Sequence, residues 1–203
     1  MKKPIAYFIL TLLIAGQALA QNSVTIGNQT WSMNLNVVNF RNGDAIPRAK
    51  TDAEWKKAAD NKQPAWCYYN NDPTNSDKYG ILYNWFAVND PRGLAPEGWH
   101  IATKAEWEQL ANQFPNQSAE QLKTAEGWSR GFKGNNATGF TGYPLGIRGV
   151  PKFFWGGQMT IFWTSDENDA ESAHSATFDY NYKHVVLANQ FKVMGLSVRC
   201  VKD

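Results

Sequence analysis

The sequence predicts an α+β domain with two main helices, an antiparallel sheet and long loops rich in glycine and aromatic residues. The pattern Thr-x-Ala-Glu-Trp at residues 51–55 and 103–107 predicts the helices, because each copy is a capping box that starts a helix. Short runs of β-branched and aromatic residues after residue 160 predict the sheet. Residues 127–158 hold too many glycines for long helices, so they predict an irregular loop region stabilised by buried rings.

Length and charge limit the function classes. The 203 residues fit one domain, and 9 Trp, 8 Tyr and 11 Phe are many for a chain of this size. The formal charge of +2 comes from Lys2 and Lys3, and without them the chain carries 18 basic and 18 acidic residues. A balanced surface without basic runs argues against nucleic-acid binding and against electrostatic attachment to a membrane.

The first residues have the organisation of a secretory signal peptide over 1–20. Lys2 and Lys3 are followed by an apolar run from Ile5 to Ala15, broken only by Thr11, and by an Ala-x-Ala site that ends at Ala20. This run is too short to span a bilayer. We therefore expect an exported protein without a membrane span, consisting of a single domain over 21–203, in the periplasm, on the cell surface or outside the cell.

The N-terminal half contains signals for short elements. Residues 24–31 read as a hairpin with Gly27-Asn28 as its tight turn. Extended chain over 35–40 leads to a turn at 42–44, then to the first predicted helix. After that helix, residues 64–69 are a short aromatic strand candidate.

The stretch 79–110 carries the strongest helix start. Glu106 can reach back to the amide of Thr103, which completes the capping box. Trp107 and Leu110 then share one helix face. We expect Trp99 and Ile101, just before the cap, to pack onto that face.

The C-terminal half predicts one short helix and several strands. Ser118 with Gln121 suggests another capping box, before a helix near 119–124. Strands are predicted at 161–164, 173–178, 184–187 and 195–201.

The sequence resembles the Fibrobacter succinogenes major paralogous domain family, a bacterial exported family of poorly defined function. The segments that carry the resemblance are 26–37, 40–47, 51–55, 64–72, 79–110 and 195–203. That family in turn resembles the C-type-lectin-like fold of sulfatase-modifying-factor (formylglycine-generating) proteins, through the helix start at 98–108 and the terminal strand at 195–199. The resemblance therefore implies a C-type-lectin-like domain, and it implies an activity far less directly.

Cys67 and Cys200 are the two cysteines of the chain. In the oxidising compartment that a signal peptide implies, we expect a disulfide between them. Two buried free thiols are one alternative. A redox pair of the kind that formylglycine-generating enzymes use with copper is another, although those enzymes carry two neighbouring cysteines towards the C-terminus, where this chain has one.

Metal-binding and catalytic motifs give few candidates. Three histidines lack metal-ligand spacing, and no nucleophile or phosphate-loop motif is present in the sequence. Clustered oxygen ligands for calcium follow the strand at 161–164, namely Asp166, Glu167, Asn168, Asp169 and Glu171. A solvated acidic turn is the other interpretation of this cluster, and the Glu-Pro-Asn and Gln-Pro-Asp triplets of sugar-binding lectins are absent.

Aromatic residues of the loop region are the candidates for ligand binding, because rings offer contact area at low entropic cost. The predicted binding residues are Trp128, Tyr143, Phe153, Phe154, Trp155, Tyr180 and Tyr182. We interpret the protein as a non-catalytic binding or adhesion module, without a required cofactor, for a protein or glycan at the cell envelope. The alternatives are an oxidoreductase of the formylglycine-generating or a metal-dependent type, and a structural component of a cell-surface assembly.

Overall fold

The computed structural model describes residues 22–129, 131 and 133–203. The predicted signal peptide, 1–20, lies outside the described residues and stays a prediction. The described chain is a mixed α/β fold with several antiparallel sheets and few helices. Among these residues, no helix has the length and apolar character needed to cross a membrane.

The strands are short at the start of the chain and long near its end. They are β1 Ser23–Ile26, β2 Gln29–Ser32, β3 Trp66–Cys67, β4 Leu82–Tyr83, β5 Trp99–Ile101, β6 Ile147–Arg148, β7 Phe153–Phe154, β8 Met159–Glu167, β9 Ser172–Asp179, β10 Val186–Phe191 and β11 Cys200–Lys202. The predicted hairpin over 24–31 is confirmed as β1 and β2, and the strands predicted at 161–164 and 173–178 lie within β8 and β9.

The two ends of the described chain meet in one sheet. Its strand order is β1-β2-β11-β5, and Val201 of β11 pairs with both Trp31 and His100. A second sheet has the order β10-β9-β8, and two further antiparallel pairs join β3 to β4 and β6 to β7. The first and last strands of the described chain therefore lie in one sheet.

The helices are short, and two of the three predicted capping boxes are confirmed. The helices are α1 Asp52–Asp60, α2 Ser76–Tyr79, α3 Trp85–Val88, α4 Lys104–Asn112 and α5 Ser118–Leu122, with 3₁₀ turns at Tyr69–Asn71 and Pro73–Asn75. Thr51 caps α1 and Thr103 caps α4. Each threonine hydroxyl accepts from the amide of the glutamate three residues later, and that glutamate's carboxylate accepts from the threonine amide. These caps satisfy backbone amides that a helix start would otherwise leave unpaired.

The predicted capping box at Ser118 is wrong. The N-cap of α5 is Gln117, which makes no side-chain cap hydrogen bond. Ser118 is the first helical residue, and its buried hydroxyl accepts a hydrogen bond from the Val185 amide. The Ser118 hydroxyl therefore bonds to a residue distant in sequence, and not to the helix start that the sequence pattern predicts.

The core consists of three clusters rather than one. Trp107 and Leu110 of α4 pack with Trp31 and other rings in one cluster. Trp99 and Ile101 belong to a different cluster, so the expectation that they pack onto the α4 face is wrong. In β5, alternate side chains point to opposite faces of the sheet, and the face that holds Trp99 and Ile101 is turned away from α4.

The predicted strand at 195–201 is extended, but it pairs with several neighbours in turn. Gly195 bridges to Arg148, Leu196 to Tyr83 and Ser197 to Phe162, before β11 begins at Cys200. Each residue of this segment is buried, including Ser197 and Arg199, so neither of its faces meets solvent. The segment thereby joins the separate sheets.

Candidate functional site

The predicted binding rings differ in exposure. Phe154 is 40% exposed, Trp155 45% and Tyr182 48%, whereas Trp128 is only 4% exposed. Trp128 lies in the core beneath the Lys123 ammonium, 4.5 Å from its ring centroid. Tyr143, Phe153 and Tyr180 are half-buried. The exposed rings are therefore the candidates for ligand contact, and Trp128 is removed from the set.

The loop around Trp155 is held in an unusual backbone conformation. Trp155 has a φ of 61°, a left-handed value that costs a residue with a side chain about 1 kcal/mol or more. The Met159 amide donates to the Trp155 carbonyl at 3.0 Å, and the Phe154 and Trp155 rings lie 5.8 Å apart. This conformation keeps a large apolar side chain in solvent next to Gly156.

Gly156 sits where no side chain would fit. Its amide donates to the Tyr69 hydroxyl at 3.0 Å, and a Cβ atom there would lie 2.4 Å from that oxygen. Tyr69 also packs edge-on against Phe153, with ring centroids 5.4 Å apart. The loop that presents Trp155 is thereby attached to the 3₁₀ turn that begins at Tyr69.

A cleft of about 350 Å³ opens directly beside this attachment. Its lining residues are Tyr69, Asn70, Asn75, Tyr79, Gly127, Pro144, Leu145, Gly156 and Gly157. The Asn75 amide nitrogen donates to the Tyr69 carbonyl at 3.1 Å, which fixes that side chain. The walls offer phenol rings, carboxamides and backbone groups, and Trp155 stands immediately before the two lining glycines.

Tyr143 does not line the cleft itself but packs against the lining residue Tyr79. Its ring packs edge-on against Tyr79 at 5.2 Å, and the Lys78 ammonium lies within about 5 Å of both rings. Burial raises the pKa of Tyr69, against the opposing effect of the Gly156 amide, so its phenol stays neutral at physiological pH.

The tip between β9 and β10 contacts the same loop. The Tyr180 amide donates to the Gln158 carbonyl at 2.9 Å, and the Gln158 amide donates to the Trp155 carbonyl at 2.9 Å. Tyr182 points elsewhere, with its ring 5.7 Å from His184. The structure thus joins Tyr180 to the Trp155 loop, and it leaves Tyr182 outside the cleft lining.

None of the nine residues that line this cleft is among the predicted binding residues; four of the nine have polar side chains, namely Tyr69, Asn70, Asn75 and Tyr79. Tyr69 and Asn70 lie in the segment 64–72, and Tyr79 begins the segment 79–110. From the sequence, these residues are assigned to a strand, a turn and the core, and not to a binding site. The dense run of tyrosine and asparagine is the local signal that could have indicated them.

The acidic turn proposed as a calcium site surrounds a lysine ammonium. Lys192 is 4% exposed, and its ammonium donates to the Glu167 carboxylate and to the carbonyls of Asp169 and Ala170. The same ammonium lies 4.7 Å from the Trp85 ring centroid. A positive charge from the chain itself therefore organises the acidic turn.

The other acidic-turn residues have separate partners. Asp166 accepts a hydrogen bond from the Lys104 amide at 2.6 Å, and Glu171 lies 3.0 Å from the Lys62 ammonium. The Asn168 amide donates to Asp169. In the described ranges, no three His, Cys, Asp or Glu side chains converge in a way that could hold a metal ion. The acidic turn is therefore held by hydrogen bonds within the chain, and calcium binding there stays a prediction.

The predicted disulfide is absent, because Cys67 and Cys200 are both free and buried. Cys67 belongs to the β3–β4 pair and the cluster around Trp55, whereas Cys200 belongs to the four-stranded sheet and to another cluster. Burial raises the pKa of each thiol to about 12. The thiolate is the reactive form of cysteine, so a thiol with a raised pKa is a poor nucleophile at neutral pH.

The fold and cleft together define a mixed α/β domain whose ring-lined cleft is built from loops between its short strands. The chain belongs to the Fibrobacter succinogenes major domain family, whose model matches residues 24–202. Comparison with the curated proteins and with the solved structures found no match. The family name carries no activity, so a function can be inferred only from the site.

Proposed function

We propose that this protein is an exported, non-catalytic binding module of C-type-lectin-like fold that binds a glycan of the cell envelope in the cleft beside Trp155. The observation that carries the proposal is that the exposed Trp155 immediately precedes Gly156 and Gly157, which line a cleft together with Tyr69, Tyr79, Asn70 and Asn75. Sugars present apolar C–H faces and hydroxyl groups, which are recognised by rings and by carboxamides respectively.

The size of the cleft supports a small saccharide unit. A volume of about 350 Å³ lies in the range of small-ligand pockets. The carboxamide of Asn75 is already fixed by its bond to the Tyr69 carbonyl, so little side-chain entropy is lost when a ligand binds. The neutral phenol of Tyr69 offers hydrogen bonding rather than proton transfer.

The oxidoreductase alternative has less support. It needs a thiolate or a metal centre, and the buried Cys67 and Cys200 lie in separate clusters. The surface-assembly alternative has one favourable observation, since Val150, Phe154 and Trp155 are exposed apolar residues of one loop region. A test of glycan binding should therefore include a measurement of oligomeric state.

The test is glycan-array binding, followed by titration calorimetry with the retained oligosaccharide. Trp155→Ala is expected to weaken binding by about tenfold, which corresponds to the loss of one stacking ring. Phe191→Ala is the matched control: Phe191 is 61% exposed, and it pairs with Ser172 at the end of β9 remote from Met159 and the Trp155 loop.

The glycan proposal fails if no glycan is retained on the array. It also fails if Trp155→Ala and Phe191→Ala bind the glycan with equal affinity. A self-association that Trp155→Ala abolishes, seen by sedimentation without any glycan binding, would instead support the surface-assembly alternative.

A further inference from the structure

The backbone of Arg48 pairs with that of Trp66 in β3. Its neighbours fix its backbone, because the Trp66 amide donates to the Pro47 carbonyl at 3.1 Å and the Ala49 amide donates to the Trp66 carbonyl at 2.9 Å. The Trp66 indole is held in turn by the Ile46 carbonyl at 2.9 Å. The side chain of Arg48 therefore starts from a preorganised strand position.

The guanidinium of Arg48 lies on aromatic rings but has no anionic partner. Its Cζ atom is 4.4 Å from the Tyr68 ring centroid and 5.4 Å from that of Trp66. Its Nε atom is buried without a hydrogen-bond acceptor. The guanidinium of Arg48 is thus held by stacking, and its hydrogen-bonding capacity is not used within the described chain.

The other described arginines show the contrast. Arg41 donates to the Ala95 carbonyl, and Arg92 to Asp90. Arg199 donates to several carbonyl oxygens, and the Arg148 guanidinium lies 2.7 Å from the Asp52 carboxylate as an ion pair without hydrogen-bond geometry. In the part of the chain that the structure describes, Arg48 is thus the arginine that lacks an oxygen partner.

A second cleft, of about 420 Å³, opens at Arg48. Its lining residues are Ala45, Pro47, Arg48, Ala49, Glu54, Lys57, Ala58, Gln63, Pro64, Ala65 and Arg92. Alanine and proline side chains supply apolar walls, and Lys57 supplies a second cation. The cleft thus combines a planar guanidinium with space for a small apolar body.

The charges already in the cleft limit the ligand. Glu54 is committed to the helix cap, since its carboxylate accepts from the Lys50 amide at 2.6 Å and from the Thr51 amide at 3.0 Å. Arg92 is neutralised by Asp90 and by Asp44. A second negative charge near Glu54, or near the Asp44 and Asp90 carboxylates beside Arg92, would be repelled, so the cleft favours one anionic group, which Lys57 also attracts.

We propose that the Arg48 cleft is a second binding site, which takes a small organic molecule with a single carboxylate. The guanidinium fork suits the two oxygens of a carboxylate, and the aromatic faces behind it hold the fork in place. The apolar walls bind the rest of the ligand. This site shares no lining residue with the cleft beside Trp155, so the two proposals stand independently.

The test uses 3-methylbutanoate and 3-methylbutanamide, which have the same shape and differ in charge. Each is titrated to about 10 mM, a concentration suited to the weak affinity of a fragment of this size, into the ¹⁵N-labelled protein. The amide signals of Ala49, Ala58 and Ala65 are followed. We expect saturable shifts with the acid, and at least about tenfold weaker binding of the amide.

The variants separate charge from geometry. Arg48→Gln is expected to remove the acid's advantage, and Arg48→Lys to retain only part of it, because lysine keeps the charge and loses the fork. Lys56→Gln is the control, since Lys56 pairs with Asp60 on the same helix and lines no part of the cleft. Equal binding of acid and amide, the absence of saturable shifts, or an unchanged acid affinity in Arg48→Gln would overturn the proposal. If Arg48→Gln does not fold, the acid–amide comparison and Arg48→Lys decide.

Discussion

Replacing Arg199 by methionine is expected to lower the free energy of unfolding by about 3 kcal/mol or more. The guanidinium of Arg199 is fully buried, and it donates to the Ser32 carbonyl at 2.9 Å, the Phe140 carbonyl at 2.7 Å and the Thr141 carbonyl at 3.1 Å. Its Nε atom donates to the Asn34 side chain at 2.8 Å. The terminal segment is thereby tied to β2 and to the glycine-rich loop.

The loss of unfolding free energy in Arg199→Met depends on which of its former acceptors water can reach. Ser32 and Phe140 are fully buried, and a buried acceptor left unpaired costs about 1–3 kcal/mol, so these two give about 2–6 kcal/mol. Thr141 and Asn34 are half-buried, so water can replace much of what they lose. Burial lowers the pKa of Arg199 to about 9, since no carboxylate lies against it, and removing this unfavourable charge returns part of the cost.

The assay is urea unfolding at neutral pH, followed by circular dichroism and tryptophan fluorescence. Arg41→Met is the matched control, because Arg41 is exposed and also donates to two carbonyls, those of Ala95 and Trp99. We expect a loss below about 1 kcal/mol for the control. Arg199→Lys should fall between the two, since it keeps the charge without the fork. A loss below about 1 kcal/mol for Arg199→Met would refute the argument that the buried carbonyls depend on this side chain.

Two further predictions concern the cysteines and a histidine. In intact-mass analysis, iodoacetamide should leave Cys67 and Cys200 unmodified in the native protein, and it should alkylate both in urea without reductant. A gain of 2 Da on reduction would contradict the free thiols. For His100, burial lowers the pKa, but hydrogen bonds with Asp203 and Glu106 outweigh it and raise the pKa overall. Its stabilisation is therefore fully present below the unfolded pKa of about 6.5 and is lost as pH rises through the raised folded pKa. Because His100 is 41% exposed, His100→Gln should lower the free energy of unfolding by less than about 1 kcal/mol, with the largest loss near pH 5.5. A loss that grows towards pH 9, measured by urea unfolding, would show that this sign is wrong.

The local parts of the fold could be predicted from neighbouring residues. Thr51 and Thr103 each lie three residues from a glutamate, so both capping boxes form with partners inside one helical turn. The hairpin at Gly27 likewise depends on a turn that its own residues favour. Ser118 shows the limit of such patterns, since the amide of Val185, distant in sequence, takes its hydroxyl.

The candidate sites were predicted only in part. Phe154 and Trp155 were identified because a glycine-rich loop full of rings favours exposed aromatic residues, and both are exposed. Trp128 has the same local surroundings in the sequence and is buried, because α5 brings the Lys123 ammonium over its ring. Exposure depends on packing between segments, and composition does not determine it.

By itself, the sequence determined the mixed class of fold, the helix starts at Thr51 and Thr103, the first hairpin and the family. Each of these depends on residues that are close along the chain, or on a pattern that many positions share. The tertiary structure alone decided that Lys192 occupies the acidic turn, that Cys67 and Cys200 stay apart, and that Tyr69 meets Gly156 beside a cleft. These contacts join residues far apart in sequence, and their partners depend on how the sheets and loops pack around one another.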